Sequence, residues 1–233
     1  ALGTVAAPSS ANLAVDLSSH LISITTGFTG TDLLLFGATP GEGDIIVVVR
    51  GPATRVDVRR KVRVAGIWVN GPSAEFEDVP ALYILSSSRP VDELLRHELR
   101  RALGIGFDAF PARTVEPLKP GEVGPFRDAL IRRKQALGLY SSEVGVRFVQ
   151  DQLFRTTISF PASVPTGEYR VDVYLIDDGK VANMQATPLA VTKAGIGAKV
   201  FEFAHRYSAL YGIIAVLLAL FAGWLANALF RRS

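Results

Sequence analysis

Through the first 88 residues, apolar and polar positions exchange places with a period of two. Residues 13–17 (LAVDL) and 21–25 (LISIT) alternate, and 32–37 (DLLLFG) is a short apolar run closed by glycine. Alternation of this kind sends successive side chains to opposite faces of a strand. Residues 44–50 (DIIVVVR) are β-branched and almost continuously apolar, the pattern of a strand covered on both faces. Turn formers interrupt the series at Gly27, at 39–43 (TPGEG), at Gly51-Pro52 and at Asn70-Gly71-Pro72. Residues 63–69 and 81–86 (ALYILS) extend it. Strands at spacings of roughly 8–12 residues, with no helix between them, predict antiparallel β-structure.

The period changes after Ser88. Val91, Leu94, Leu95, Leu99 and Leu103 recur at helical spacing and predict one helix from Pro90 to Leu103. Pro90 suits its first turn, Asp92 and Glu93 its positive end, Arg100 and Arg101 its negative end, and Gly104 its stop. A Pro/Gly-rich connector leads to a second helix with Phe126, Leu130 and Leu137 inward, Arg132, Arg133 and Lys134 mostly outward, and Gly138 at its end. The result is a helical hairpin over 89–139. Gly104-Ile-Gly106 and Gly195-Ile-Gly197 read as loop glycines.

Beyond Tyr140 the period of two returns at 144–149, 153–159 and 169–176 (YRVDVYLI), with a turn at 177–180 (DDGK) and a return strand at 181–191. The segment 165–169 (PTGEY) precedes the penultimate strand, as in immunoglobulin-like sandwiches, where a corner tyrosine bonds back to the backbone. The expected fold is therefore mainly β: an immunoglobulin-like antiparallel β-sandwich over 1–193 with the helical hairpin inserted. One sandwich is favoured over two, because the strand series resumes directly after the hairpin.

Residues 208–230 contain no charged side chain. At a rise of ~1.5 Å per residue, about 20 such residues cross a hydrocarbon core of roughly 30 Å. A single C-terminal transmembrane helix is expected there, after a juxtamembrane segment at 194–207 and before a tail at 231–233. Arg231 and Arg232 favour a cytoplasmic tail, against Lys199 and Arg206 on the other flank. The start, Ala-Leu-Gly-Thr, lacks an initiator Met and an export segment, as after signal-peptide removal. The expected location is the cell inner membrane, single-pass, with the N-terminal domain periplasmic and the C-terminus cytoplasmic. Within the span Gly212, Ala215, Ala219, Gly223 and Ala226 form a stripe of small residues suited to close packing against another membrane helix. Asn227 adds a polar group that prefers a partner, while Tyr207, Tyr211 and Trp224 suit the interfaces.

Composition adds exclusions. Cysteine is absent, which removes disulfides and thiolate metal sites, and a net charge of +3 without basic and aromatic interleaving does not suggest nucleic acid. His20, His97 and His205 have no second ligand at metal spacing, and Arg101 stands where a metalloprotease helix opened by His97-Glu98 needs its second histidine. No nucleophile elbow or phosphate loop occurs. Asp177-Asp178-Gly179 lacks the further carboxylates of a calcium loop. Glu75, Glu77 and Asp78 (EFED) read as a solvated acidic loop. No enzyme, catalytic residue, metal or cofactor is expected. The one charged pattern that stands out is 55–63 (RVDVRRKVR). On a strand, Arg55, Asp57, Arg59, Lys61 and Arg63 share one face, opposite Val56, Val58, Val62 and Val64, with Arg60 interrupting. This stripe suits an anion, lipid headgroups or an acidic partner; the alternative is a solvated face balanced by acids on the neighbouring strand.

The stretches DLSSHLISITTGFTGTDLLLFGA, GDIIVVVRGP, RRKVRVAGIWVNGP and VPTGEYRVDVYLIDDGKV, with the single C-terminal span, resemble a family of transmembrane proteins from alphaproteobacteria. The resemblance runs over nearly the whole chain. It implies an exported β-rich domain on one membrane helix and brings no activity or catalytic residues to carry over. It also implies genes close to permeases of the sulfite-exporter type. The expected function is a non-enzymatic accessory subunit that docks on and stabilises a larger integral membrane complex, a transporter or a respiratory or photosynthetic assembly. The alternative is a periplasmic module that binds a small anion and works with a sulfite-exporter-type permease.

Overall fold

In the computed structural model, which describes residues 12–64, 66–109, 112–116, 121–194 and Leu220, the alternating segments become strands in chain order. β1 (Ala14–Leu17), β2 (Leu21–Ile24), β3 (Gly30–Ala38) and β4 (Asp44–Arg50) lead to a long ribbon of β5 (Ala53–Val64) and β6 (Ile67–Pro80), then to β7 (Tyr83–Ser87). A mixed segment holds α1 (Val91–Leu94), α2 (His97–Leu103), β8 (Arg113–Thr114) and α3 (Val123–Ala136). β9 (Tyr140–Glu143), β10 (Arg147–Gln150), β11 (Leu153–Pro161), β12 (Gly167–Asp177) and β13 (Lys180–Lys193) complete the order.

Among the described residues these strands make three sheets, of order β1-β3-β11-β10, β2-β13-β12-β4-β7-β9 and β5-β6-β8. The chain is mainly β. β7 and β9 run parallel, as do β2 and β13, where the Ala190 and Ala194 N–H groups donate to the His20 and Ile24 carbonyls in the same chain direction; the other pairs are antiparallel. By contacts the chain divides into one compact unit of Ala1–Ile22 with Phe28–Thr192, and a second of Ser23–Gly27 with Lys193–Ser233. In the second unit the Ala194 N–H donates to the Ile24 carbonyl at 2.9 Å.

β4 is buried from Ile45 to Val49, and the register explains both covered faces. Val47 pairs with Val173 and with Ser86, whose hydroxyl meets that of Thr156 on β11 at 3.0 Å; that face therefore turns toward the four-stranded sheet. Phe160 and Tyr169 meet on the same side, their ring centroids 6.0 Å apart. Val48 and Arg50 lie on the other face, with Asp172 and Tyr83. There the Arg50 guanidinium donates to the carbonyls of Leu103 and Gly104 at the end of α2. Cover on both sides is what selects a continuous β-branched run.

Several expectations need correction. Asn70-Gly71-Pro72 does not end a strand; the ribbon turns at Gly66 (φ 86°) and Asn70 to Pro72 lie inside β6. Arg59 faces Ser73 and Lys61 faces Asn70, so Gly71 and Pro72 together oppose Arg60. This bulge takes in a proline where no ladder bond is required of it. The helix expected over 90–103 breaks at Leu95, which is extended (φ −135°, ψ 138°). Leu94 and Leu95 are both buried, and neighbours on one helix, about 100° apart around its axis, cannot both sit at the centre of a narrow apolar stripe. Leu137 is exposed rather than inward, although Phe126 and Leu130 are buried as expected. The hairpin over 89–139 is also not wholly helical, since β8 inside it adds to the ribbon sheet. The turn at Asp178-Gly179 is as expected, with φ of 48° and 73° between paired Asp177 and Lys180.

Candidate functional site

Three places concentrate exposed or buried chemistry. The first is the outer face of the four-stranded sheet. Strand alternation turns Leu33 and Leu35 into the core and leaves Leu34 and Phe36 outward, 39% and 44% exposed. The register sets Asp16, Phe36, Arg155 and Arg147 in one row across four strands. Beside that row lies an open groove of about 470 Å³ lined by Leu34, Phe36, Gly37, Val149, Leu153 and Phe154, with Asp16 and Arg155 at its edges. Gly37 is required here: a Cβ would stand 2.5 Å from the Ala14 carbonyl oxygen and 2.6 Å from the Phe154 ring. Val149 and Leu153 are 60% and 45% exposed. An apolar surface bounded by one acid and one guanidinium suits contact with another apolar surface better than bond-making chemistry.

The second place is the ribbon. Arg55, Arg59, Lys61 and Arg63 all lie on the exposed side of β5, as the alternation indicates. The acids expected in a loop belong instead to β6: Arg55 lies 3.9 Å from Glu77, and Arg113 of β8 lies 2.5 Å from Asp78 and 3.8 Å from Glu77. Arg59 is held by Asp57 at 2.7 Å. The stripe is thus balanced at one end. At its middle a cleft of about 390 Å³ opens between the ribbon and the first turns of α3, lined by Arg59, Arg60, Ser73, Glu122, Phe126 and Arg132. Arg60, read from alternation as an interruption, joins Arg59 there, and Arg132 comes from the helix. Lys61 and Arg63 do not line it.

The third place was not singled out in the sequence. Asp172 has no exposed surface, and its carboxylate accepts from Arg50 and, at 2.5 Å, from Arg170. Next to it the Tyr83 hydroxyl donates to the Gly104 carbonyl and accepts from the Gly106 N–H, each at 2.9 Å, so the glycines set aside as plain loop residues anchor the end of α2. Burial pushes the Tyr83 phenol up to about 12 and the Tyr140 phenol higher, which keeps both protonated at neutral pH. Lys134 lies over the Tyr140 ring at 5.8 Å, and burial lowers the pKa of its ammonium. These are clamps rather than acid/base pairs. A signal for Asp172 exists: it is the one acid inside the otherwise strand-forming YRVDVYLI.

His97 lies 3.5 Å from Asp108 and His20 lies 3.2 Å from Asp16, both on the surface. Among the described residues no three His, Asp or Glu side chains come together as a metal-binding group. Among the same residues no helix is long and apolar enough to cross a membrane. Gly212, Ala215, Ala219, Gly223, Ala226 and Asn227, and the span 208–230 apart from Leu220, lie outside the described residues, as do the juxtamembrane segment beyond Ala194 and the tail. Leu220 is helical and 66% exposed.

Residues 12–232 match the family described as "Putative transmembrane protein (Alph_Pro_TM)", and the chain belongs to that family. The resemblance carried by the strand motifs is thereby borne out. No curated protein matches the chain.

Proposed function

We propose that this member of a transmembrane family is a non-enzymatic accessory subunit that docks on a larger integral membrane complex. In this reading residues 208–230 form the single span, the β-rich domain stands on the periplasmic face of the inner membrane, and the tail is cytoplasmic. The partner is a transporter or a respiratory or photosynthetic assembly. The observation that carries the reading is the outer face of the four-stranded sheet, where Leu34, Phe36, Val149 and Leu153 stay exposed around an apolar groove. Exposed apolar patches with charged rims are what stable protein contacts bury. The small-residue stripe at Gly212, Ala215, Ala219, Gly223 and Ala226 would supply a second contact within the membrane.

The domain itself is best read as an immunoglobulin-like sandwich. Support comes from the contacts of Ser86 with Thr156 and of Phe160 with Tyr169 between the two larger sheets. The Tyr169 hydroxyl also donates to the Pro165 carbonyl at 2.6 Å, the corner geometry of such folds.

A photo-crosslinking residue at Phe36, introduced in native membranes, should couple to one integral membrane protein. The same residue at exposed Asp178 should not. Equal labelling from both positions would count against docking through this face.

The meeting of Arg59, Arg60 and Arg132 in one cleft favours a second reading, an anion-binding module beside a sulfite-exporter-type permease. Calorimetric titration of the full chain with sulfite should then give heat that Arg59→Gln with Arg132→Gln removes. No heat from the unaltered chain would dismiss this reading.

A further inference from the structure

The charge along the β5–β6 ribbon is segregated. Asp57, Glu75, Glu77 and Asp78 all lie toward its base, whereas 58–74 holds Arg59, Arg60, Lys61 and Arg63 and no acid. At the far end, around the Gly66 turn, Ile67 and Trp68 are 69% and 65% exposed, and Val69 is exposed as well. The register gives the two faces different characters. Lys61 and Arg63 share one with their partners Asn70 and Trp68, while Val62 and Val69 share the other. The Arg63 Nε–H donates to the Gly66 carbonyl at 3.2 Å, which holds its guanidinium close to the turn.

We infer that the tip of this ribbon, Arg60 to Asn70, docks on the anionic surface of a lipid bilayer, with Ile67 and Trp68 entering the headgroup layer and Arg60, Lys61 and Arg63 on lipid phosphates. Tryptophan and aliphatic side chains settle at the boundary between headgroups and acyl chains, and lysine and arginine extend toward phosphates beside them. Clustered cations draw such a segment to anionic lipid over about a Debye length. Two features favour a bilayer over a soluble acidic partner. The exposed apolar residues crown the end of a ribbon instead of lining a groove, and the chain belongs to a transmembrane family, which keeps the surface at high effective concentration. The inference adds a contact that the subunit proposal does not contain and does not depend on it.

The test uses the full chain with Trp224→Phe, which leaves Trp68 as its sole tryptophan. It is reconstituted at one copy per bilayer disc, in phosphatidylcholine alone or in equal parts phosphatidylcholine and phosphatidylglycerol. In the anionic discs Trp68 emission should shift to the blue, gain protection from acrylamide and be quenched by brominated acyl chains. Neutralising Arg60, Lys61 and Arg63 to Gln should weaken this by about a hundredfold, at roughly fivefold per cation. Arg60→Lys with Arg63→Lys should retain it, and high salt should reverse it. Far-ultraviolet circular dichroism checks that each variant is folded. Equal acrylamide access in both discs would overturn the inference. So would protection from inorganic phosphate in phosphatidylcholine discs, which would make the ribbon a free-anion site. The discs hold no partner protein, so failure here leaves the subunit proposal standing.

Discussion

Asp172 is wholly buried, and its carboxyl group is held by two guanidinium groups. Removing the acid leaves Arg50, only 18% exposed, without its buried partner, which costs roughly 3–5 kcal/mol in comparable sites. Asp172→Asn is therefore expected to lower unfolding stability by about 3 kcal/mol in urea titration, and to speed amide exchange at Gly104 and Ile105, next to the carbonyls that Arg50 holds. Asp44 gives a milder, pH-dependent case. Its hydrogen bonds to Arg89 hold the carboxyl below the ordinary 3.8 against partial burial, with Ser88 assisting. A folded-state pKa below the unfolded one stabilises the protein above the unfolded value and is lost as pH falls through the lowered one. Asp44→Asn should thus flatten the loss of stability below pH 3.8 and leave the slope at neutral pH unchanged. Neither residue stood out in the sequence. Alternation puts Asp172 on the same strand face as Tyr174 and Ile176, and only its tertiary neighbours, among them Arg50 bonded to the end of α2, make an acid there a buried one.

Legibility at the level of elements depended on whether local and distant forces agreed. Where a strand's alternation matched its burial, as in β11, its position was clear from the pattern alone. Where they conflicted, distant pairing won. Asn70-Gly71-Pro72 has the residues of a turn, but pairing along β5 carries the chain through it as a bulge. β9 escaped notice because four residues, YSSE, show little apolar pattern and owe their extended form to parallel pairing with β7. Close approach at Gly37 gives a test of how the apolar face is built. Gly37→Ala would drive a methyl into the Ala14 carbonyl and the Phe154 ring, and should destabilise the protein by about 1–3 kcal/mol while loosening β1 from β3. Hydrogen exchange along β1 is the direct readout. By contrast, Trp68→Ser at the ribbon tip should change unfolding stability by no more than about 0.5 kcal/mol, since the residue is 65% exposed.

At the scale of the whole molecule, a mainly β chain of a transmembrane family presents an apolar sheet face, a cationic cleft and an exposed ribbon tip, each chemically suited to a different kind of contact. The basic stripe was visible as a pattern, but its division between Asp57, the cleft and the tip arises from the ribbon's register and the approach of α3. The apolar groove was not visible at all, because Phe36, Val149 and Leu153 come together only through the pairing of β3, β10 and β11. The central claim is that the chain works as a subunit of a larger membrane assembly. The most direct measurement is the mass of the full chain extracted from native membranes in several gentle detergents. The account predicts a stable complex heavier than the 25.1 kDa chain, with one integral membrane partner at fixed stoichiometry and lost on Phe36→Asp. Free monomer in every detergent would contradict it.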